Sequence, residues 1–111
     1  MNTSLPSGME WLAPWKAVVD GAALDAELRA EIVKGHPLRG LQAMAVGRRI
    51  DCDDVLFCVD HPSYSLAVVH LTWQKPETDP RWPDAQLFAD WDDWNSNCMR
   101  PDNAGLQGEG G

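Results

Sequence analysis

The residues able to do chemistry in this chain are three cysteines, three histidines and a large excess of carboxylates, and none of them is set in a self-contained catalytic motif. His36 follows a helix stop, His61 falls in a turn and His70 in a strand. No HxH, HExxH or Cys-x-x-Cys frame therefore fixes the geometry that zinc requires. Cys58, His70 and Asp60 are the right types for a nucleophile, its base and an orienting carboxylate, since a thiolate needs a base nearby and an imidazole needs a partner. A cysteine inside a Val-rich strand is nonetheless more often a small core hydrophobe. Cys52, Cys58 and Cys98 are odd in number and unpaired in spacing, which suits free thiols in a reducing compartment better than a disulfide framework. The only glycine cluster is at the C-terminus, so a phosphate-cradling loop is not expected. The expectation is a non-enzyme without metal or cofactor, with Cys58, His70 and Thr72 as an alternative pocket on one sheet face.

The carboxylates carry more information. Seventeen acids against nine bases leave a net charge of −8, unevenly spread over the 111 residues. One run is Asp51, Asp53, Asp54 and Asp60. A second holds Glu77, Asp79, Asp84, Asp90, Asp92 and Asp93 against Arg81 alone. A field of this sign repels nucleic acid and anionic lipid and steers a basic protein inward. Trp82, held between Pro80 and Pro83 inside the acidic stretch, has the character of an aromatic anchor, because an indole offers large contact area at low entropic cost. The expected partner-binding set is Asp51, Asp53, Asp54, Asp79, Trp82, Asp84, Asp92 and Asp93. The plainer reading of the charge is that it keeps a small protein soluble.

The elements that must position these groups follow from periodicity. Ser7-Gly8-Met9-Glu10 matches a capping box and predicts a short first helix limited by Pro14, with Trp11 and Trp15 packing on the body. Leu24, Leu28 and Ile32 recur every four residues and predict a helix over Ala22 to Lys34, capped by Asp20, braced by an Asp25–Arg29 pair and stopped by Gly35-His36-Pro37. Leu41 to Arg48, Asp54 to Val59 and Leu66 to Trp73 read as strands. Their connectors are too short for parallel crossovers, so an antiparallel meander is expected. Gln74 to Ala89 holds three prolines and reads as a long loop. A last helix fits Trp91 to Cys98, with Asp90 as its cap and Arg100-Pro101-Asp102 as its end. The fold class is therefore α+β: an N-terminal helix, a three-stranded antiparallel meander, a long Pro-rich loop and a C-terminal helix. Residues 1–102 form one domain and 103–111 a flexible tail. Both helices are expected on one sheet face, leaving the His70 and Thr72 face partly open. Trp73, Trp91 and Trp94 are assigned to the core. The first twenty residues have neither a basic start nor an unbroken apolar stretch, so a cytoplasmic location is expected.

The run Val68-Val69-His70-Leu71-Thr72-Trp73, followed by Pro83, Trp91, Trp94, Cys98 and Asp102, resembles a family of small uncharacterised bacterial proteins. Gly35-His36-Pro37-Leu38 and Asp53-Asp54-Val55-Leu56-Phe57 are similar to it as well. The resemblance implies a free-standing bacterial protein and no particular chemistry. Size and acidity also make the chain similar in style to immunity proteins of toxin systems. The leading expectation is an immunity-type protein that neutralises a basic toxin through the acidic, Trp-containing surface. The alternatives are a small enzyme or ligand-binding domain on the His70 face, or a module that self-associates through an open sheet face.

Overall fold

A computed structural model of the chain describes residues 6, 8–73 and 83–108. The element order is β1 (Trp15–Ala17), α1 (Ala22–Glu31), β2 (Ala43–Arg49), β3 (Asp54–Val59), β4 (Leu66–His70), β5 (Ala85–Phe88), α2 (Trp91–Trp94), a π-helical turn (Asn95–Met99) and α3 (Arg100–Gly108). The strands form one antiparallel sheet in the order β1-β2-β3-β4-β5. The expected three-strand meander is its centre. The two added edges have sequence reasons for escaping notice: β1 has only three residues, and β5 has four that sit at the end of what reads as a proline loop.

β3 explains the layering. Val55, Phe57 and Val59 face one way, Leu56 and Cys58 the other, and all five are buried. A strand apolar on both sides demands cover on both, so the expectation of one open face is corrected. On one side Leu24 and Leu28 of α1, with Ile32 just after it, pack on Phe57, Val69 and Leu71. On the other, Trp15, Trp94 and Met99 cover Leu56, Val68 and Phe88. Each such fully buried apolar side chain contributes about 1.5–3 kcal/mol.

The tryptophan side is a cluster of edge-to-face rings. Trp94 meets Trp11, Trp15 and Trp91 at centroid distances of 5.6, 5.4 and 5.8 Å. Its buried indole N–H has no hydrogen-bond acceptor among the described residues. That loss is worth about 1–3 kcal/mol and is offset by ring packing. No helix forms at residues 8–12; Ser7, the expected cap, lies outside the described residues. Trp11 and Leu12 pack against the cluster from outside any helix or strand instead.

A bulge in β2 makes room for Trp11. Ala45 pairs with Phe57 but Gly47 pairs with Leu56, so Val46 is the extra residue and both Val46 and Gly47 turn to the tryptophan side. The Trp11 ring then lies directly on Gly47, where an added Cβ would sit 2.6 Å from Cζ3.

The C-terminal helix passes through Pro101 instead of ending there. Within α-helical geometry the proline ring collides with the carbonyl four residues back. The wide turn just before it relieves this, with the Arg100 amide bonding the Asn95 carbonyl. The helix continues to Gly108, beyond the boundary expected at 102. Near its middle, Asp102 accepts from the Trp15 indole at 2.9 Å and faces Arg49 at 3.4 Å, which ties the helix to β1 and β2.

α1 is shorter than expected, ending at Glu31, and its Asp25 accepts from the Ala45 amide at 2.7 Å in place of the expected pairing with Arg29. His36 is buried and bridges distant segments. Its Nδ1 accepts from the Leu38 amide at 3.1 Å, so Nε2 carries the proton and donates to the Pro83 carbonyl at 2.7 Å. That bond fixes where the chain enters β5.

Gly47→Ala is expected to displace Trp11, lower the unfolding free energy by about 1–3 kcal/mol and reduce the near-UV circular dichroism of the ring cluster. Urea titration and the spectrum check this together; wild-type values in both would mean that Trp11 does not rest on Gly47.

Candidate functional site

With both sheet faces covered, the polar groups gather at one end of the sheet, where β2 finishes, β3 begins, β4 finishes and β5 begins. Asp54 pairs with His70 across the ladder, and His70 Nδ1 donates to Asp54 Oδ1 at 2.7 Å. The imidazole is half exposed. Beyond this pair the backbone crosses over: the Leu71 amide bonds the Asp53 carbonyl at 3.1 Å and the His70 amide bonds the Asp84 carbonyl at 3.0 Å. Asp53 and Asp84 thus flank the end of β4, just before β3 and β5 begin, and both are exposed. At the end of β2, Arg49 grips Asp51 of the β2–β3 connector through two bonds of 2.8 Å. The hydrogen bond to Asp51, and then the charges of Asp102 and Asp51, hold the Arg49 guanidinium above its ordinary range; the same bond holds the Asp51 carboxyl below its own.

Of the expected acidic set, Asp51, Asp53, Asp54 and Asp84 come together at this end. Asp92 and Asp93 do not, because β5 runs away from it and the helix starts at the opposite end, beside Phe88 and Leu66. Asp93 is also committed to structure, accepting from the Ala89 amide at 2.8 Å and the Asn97 side chain at 2.7 Å. Asp79 and Trp82 lie outside the described residues.

The alternative pocket does not assemble. Cys58 pairs with Leu66 and Asp54 with His70, so Cys58 and His70 stand four residues apart along the β3–β4 ladder, roughly 13 Å. Thr72 has left the strand and bonds Glu31 of α1. Burial pushes the Cys58 thiol up to about 11. Burial, with the Asp102 charge, pushes Cys98 up to about 12, and burial raises Cys52 as well. Such thiols are poor nucleophiles at neutral pH. Two clefts of about 320 and 310 Å³ lie elsewhere, one between Met9–Leu12 and the C-terminal helix, the other between α1 and Leu41–Ala43. Among the described residues no three His, Cys, Asp or Glu side chains are grouped to hold a metal ion, and no helix is long and apolar enough to cross a membrane.

The structure adds a residue that periodicity had placed in the core. β4 ends at His70, and Trp73 is half exposed with φ +57°. A bulky residue in left-handed backbone costs about 1–3 kcal/mol and persists only where its surroundings impose it. The peptide that leads into it is anchored by Glu31, the last residue of α1, which is 2% exposed. Its carboxylate accepts from the Thr72 amide at 2.8 Å, the Thr72 hydroxyl at 3.0 Å and the Trp73 amide at 2.9 Å. Sequence could have flagged Glu31 by its place on the Leu24–Leu28 side of the helix, but not its partners, which lie over forty positions away.

Glu31 also shares a proton with Glu27, one turn earlier. Burial alone would raise the Glu31 carboxyl, but hydrogen bonds from Glu27 and from Thr72 and Trp73 outweigh it and hold it below the usual range. Glu27 takes the proton: its hydrogen bond to Glu31, then burial and the Glu31 charge, push it up to about 7. No family model, curated protein or solved structure matches this chain in comparison with known proteins.

The sign of the linkage follows from these directions. Glu27 is raised on folding, so its contribution is complete below its unfolded value near 4.5 and is lost as pH climbs through about 7. Glu31 is lowered, so its contribution disappears only on acidification. Glu27→Gln keeps a donor without titrating. Stability measured by urea at pH 5.5 and at pH 8.5 is expected to fall across that interval in the wild type and to fall less in Glu27→Gln; equal slopes would show that no proton is shared.

In native protein at pH 7.5, Cys58 and Cys98 should alkylate with iodoacetamide at least about tenfold more slowly than in urea. Rapid labelling of Cys58 would restore the case for a nucleophile on the His70 side.

Proposed function

We propose that the protein is an immunity-type binding protein that neutralises a basic bacterial toxin by docking the acidic end of its sheet against it. The contact set is Asp51, Asp53, Asp54 and Asp84, with Trp73 as the described aromatic. The observation that carries this reading is Trp73 itself, a large apolar ring held half in water in strained backbone at the same sheet end as these carboxylates. Strained, exposed aromatics concentrate where a protein contacts something else. The excess charge of −8 would speed encounter with a cationic partner, and burial of the indole would slow its release.

A second reading has one observation in its favour. The Asp54–His70 contact of 2.7 Å is the kind of pairing that orients a catalytic imidazole. Cys58, the expected nucleophile, stands roughly 13 Å from it along the ladder, so the catalytic reading ranks below the binding reading. Self-association through an open sheet face is weakened by the cover on both faces.

The test is co-expression with the products of the adjacent genes, followed by titration of the purified pair. The Asp53→Asn/Asp84→Asn double variant and Trp73→Ala are each expected to weaken the complex about tenfold or more. Affinity should fall with added salt in the wild type and less steeply in the Asn variant. Unchanged affinity in both variants, or no partner among neighbouring products, would end this reading.

A further inference from the structure

We propose that Glu31 is the positioning residue of this surface: its buried carboxylate anchors the Thr72–Trp73 peptide, from which the left-handed turn at Trp73 starts, and so presents the indole to a guanidinium or ammonium group of the partner. The inference rests on the reading of Trp73 as the aromatic contact, and adds what holds that contact and which chemical group it meets.

The geometry has three parts. First, the ladder between β3 and β4 runs out at this point. The Leu71 amide still finds the Asp53 carbonyl, while the next two amides, of Thr72 and Trp73, turn to Glu31 on the α1 side. Second, two successive N–H groups converging on one anion form the start of a nest, and the backbone angles of the first residue, Thr72, aim both at the same point. The φ of +57° at Trp73 acts one step later and sets the direction in which the side chain leaves the anchored peptide. Glycine would meet the requirement without steric cost. Third, the Glu31 carboxylate is withdrawn from water and satisfied on both oxygens, Oε1 by Thr72 and Oε2 by the Trp73 amide. Buried carboxylates are retained only with such partners, and charge-assisted bonds of this kind are the strong ones.

Neither sterics nor burial favours tryptophan at position 73. A ring face at a carboxylate-rich sheet end favours a cation: the quadrupole attracts it, and Asp53 and Asp84 at the same end are exposed. A side chain that withdrew into the core would lose this contact. Glu31 prevents the withdrawal without touching the partner.

The test uses the full chain with assigned NMR spectra and a hexa-arginine peptide as probe. In Glu31→Gln, which preserves size and removes charge, amide exchange at Thr72 and Trp73 is expected to accelerate about tenfold or more. The backbone coupling of Trp73 should leave the positive-φ value and the peptide should bind about fivefold more weakly, while Phe57 and Val69 keep their protection. Thr72→Ala removes one of the three bonds and should show the same changes on a smaller scale, which keeps the comparison available if Glu31→Gln does not fold. A Trp73 that stays left-handed and protected in these variants overturns the proposal. Peptide binding lost in Trp73→Ala but unchanged in Glu31→Gln overturns the positioning role alone. Binding unchanged in Trp73→Ala overturns the surface reading, and the exchange data then decide the Glu31 role separately.

Discussion

The constraint on which the rest of the structure depends is the central strand β3, apolar on both faces, with Leu56 and Phe57 fully buried on opposite sides. A sheet built around such a strand needs two covering layers. α1 supplies one. The other is assembled from the two ends of the chain, which meet on the same face: Asp102 accepts from the Trp15 indole, and the Asn103 side chain donates to the Ala13 carbonyl at 2.7 Å. The bulge in β2 and the bare surface of Gly47 belong to the same solution, since a second layer of tryptophan rings fits only where a strand offers no side chain.

Closing both faces leaves the ends of the sheet as the place for polar groups. Backbone amides that have lost ladder partners must find others, and this protein supplies carboxylates. Asp60 accepts from the Gln42 amide, Asp25 from Ala45, Asp93 from Ala89 and Glu31 from Thr72 and Trp73. Much of the acidity is therefore spent inside the fold, as caps and bridges. Asp51, Asp53, Asp84 and Asp92 are among the exposed acids, and of these four the first three share an end with Trp73. Net charge by itself does not separate these roles.

The elements readable from sequence are those governed by local rules. Leu24, Leu28 and Ile32 marked α1 because a helix repeats every 3.6 residues, and the Val-rich runs marked β3 and the body of β4 because their side chains alternate. The candidate site was legible only in part. Asp53, Asp54 and Asp84 were recognised by charge, yet their neighbourhood depends on strand register. His36 reads as part of a helix stop, although its ring also binds Pro83, forty-seven positions away, as well as Leu38. Trp73 continued an apolar alternation that the backbone abandons one residue earlier, at Thr72, whose amide turns to Glu31.

Sequence alone thus determined a small acidic α+β chain, the hydrophobic stripe of α1, the antiparallel centre of the sheet and the absence of any contiguous catalytic motif, because each is written in residue type and spacing over a dozen positions. Tertiary structure alone decided that two more strands join the edges, that both faces are covered, that the helix passes through Pro101 after a π turn, and that Trp73 stands out from the surface next to a peptide held by a buried carboxylate. Those outcomes depend on which distant groups satisfy one another's hydrogen bonds and fill one another's volume, and that information exists only once the chain has closed on itself.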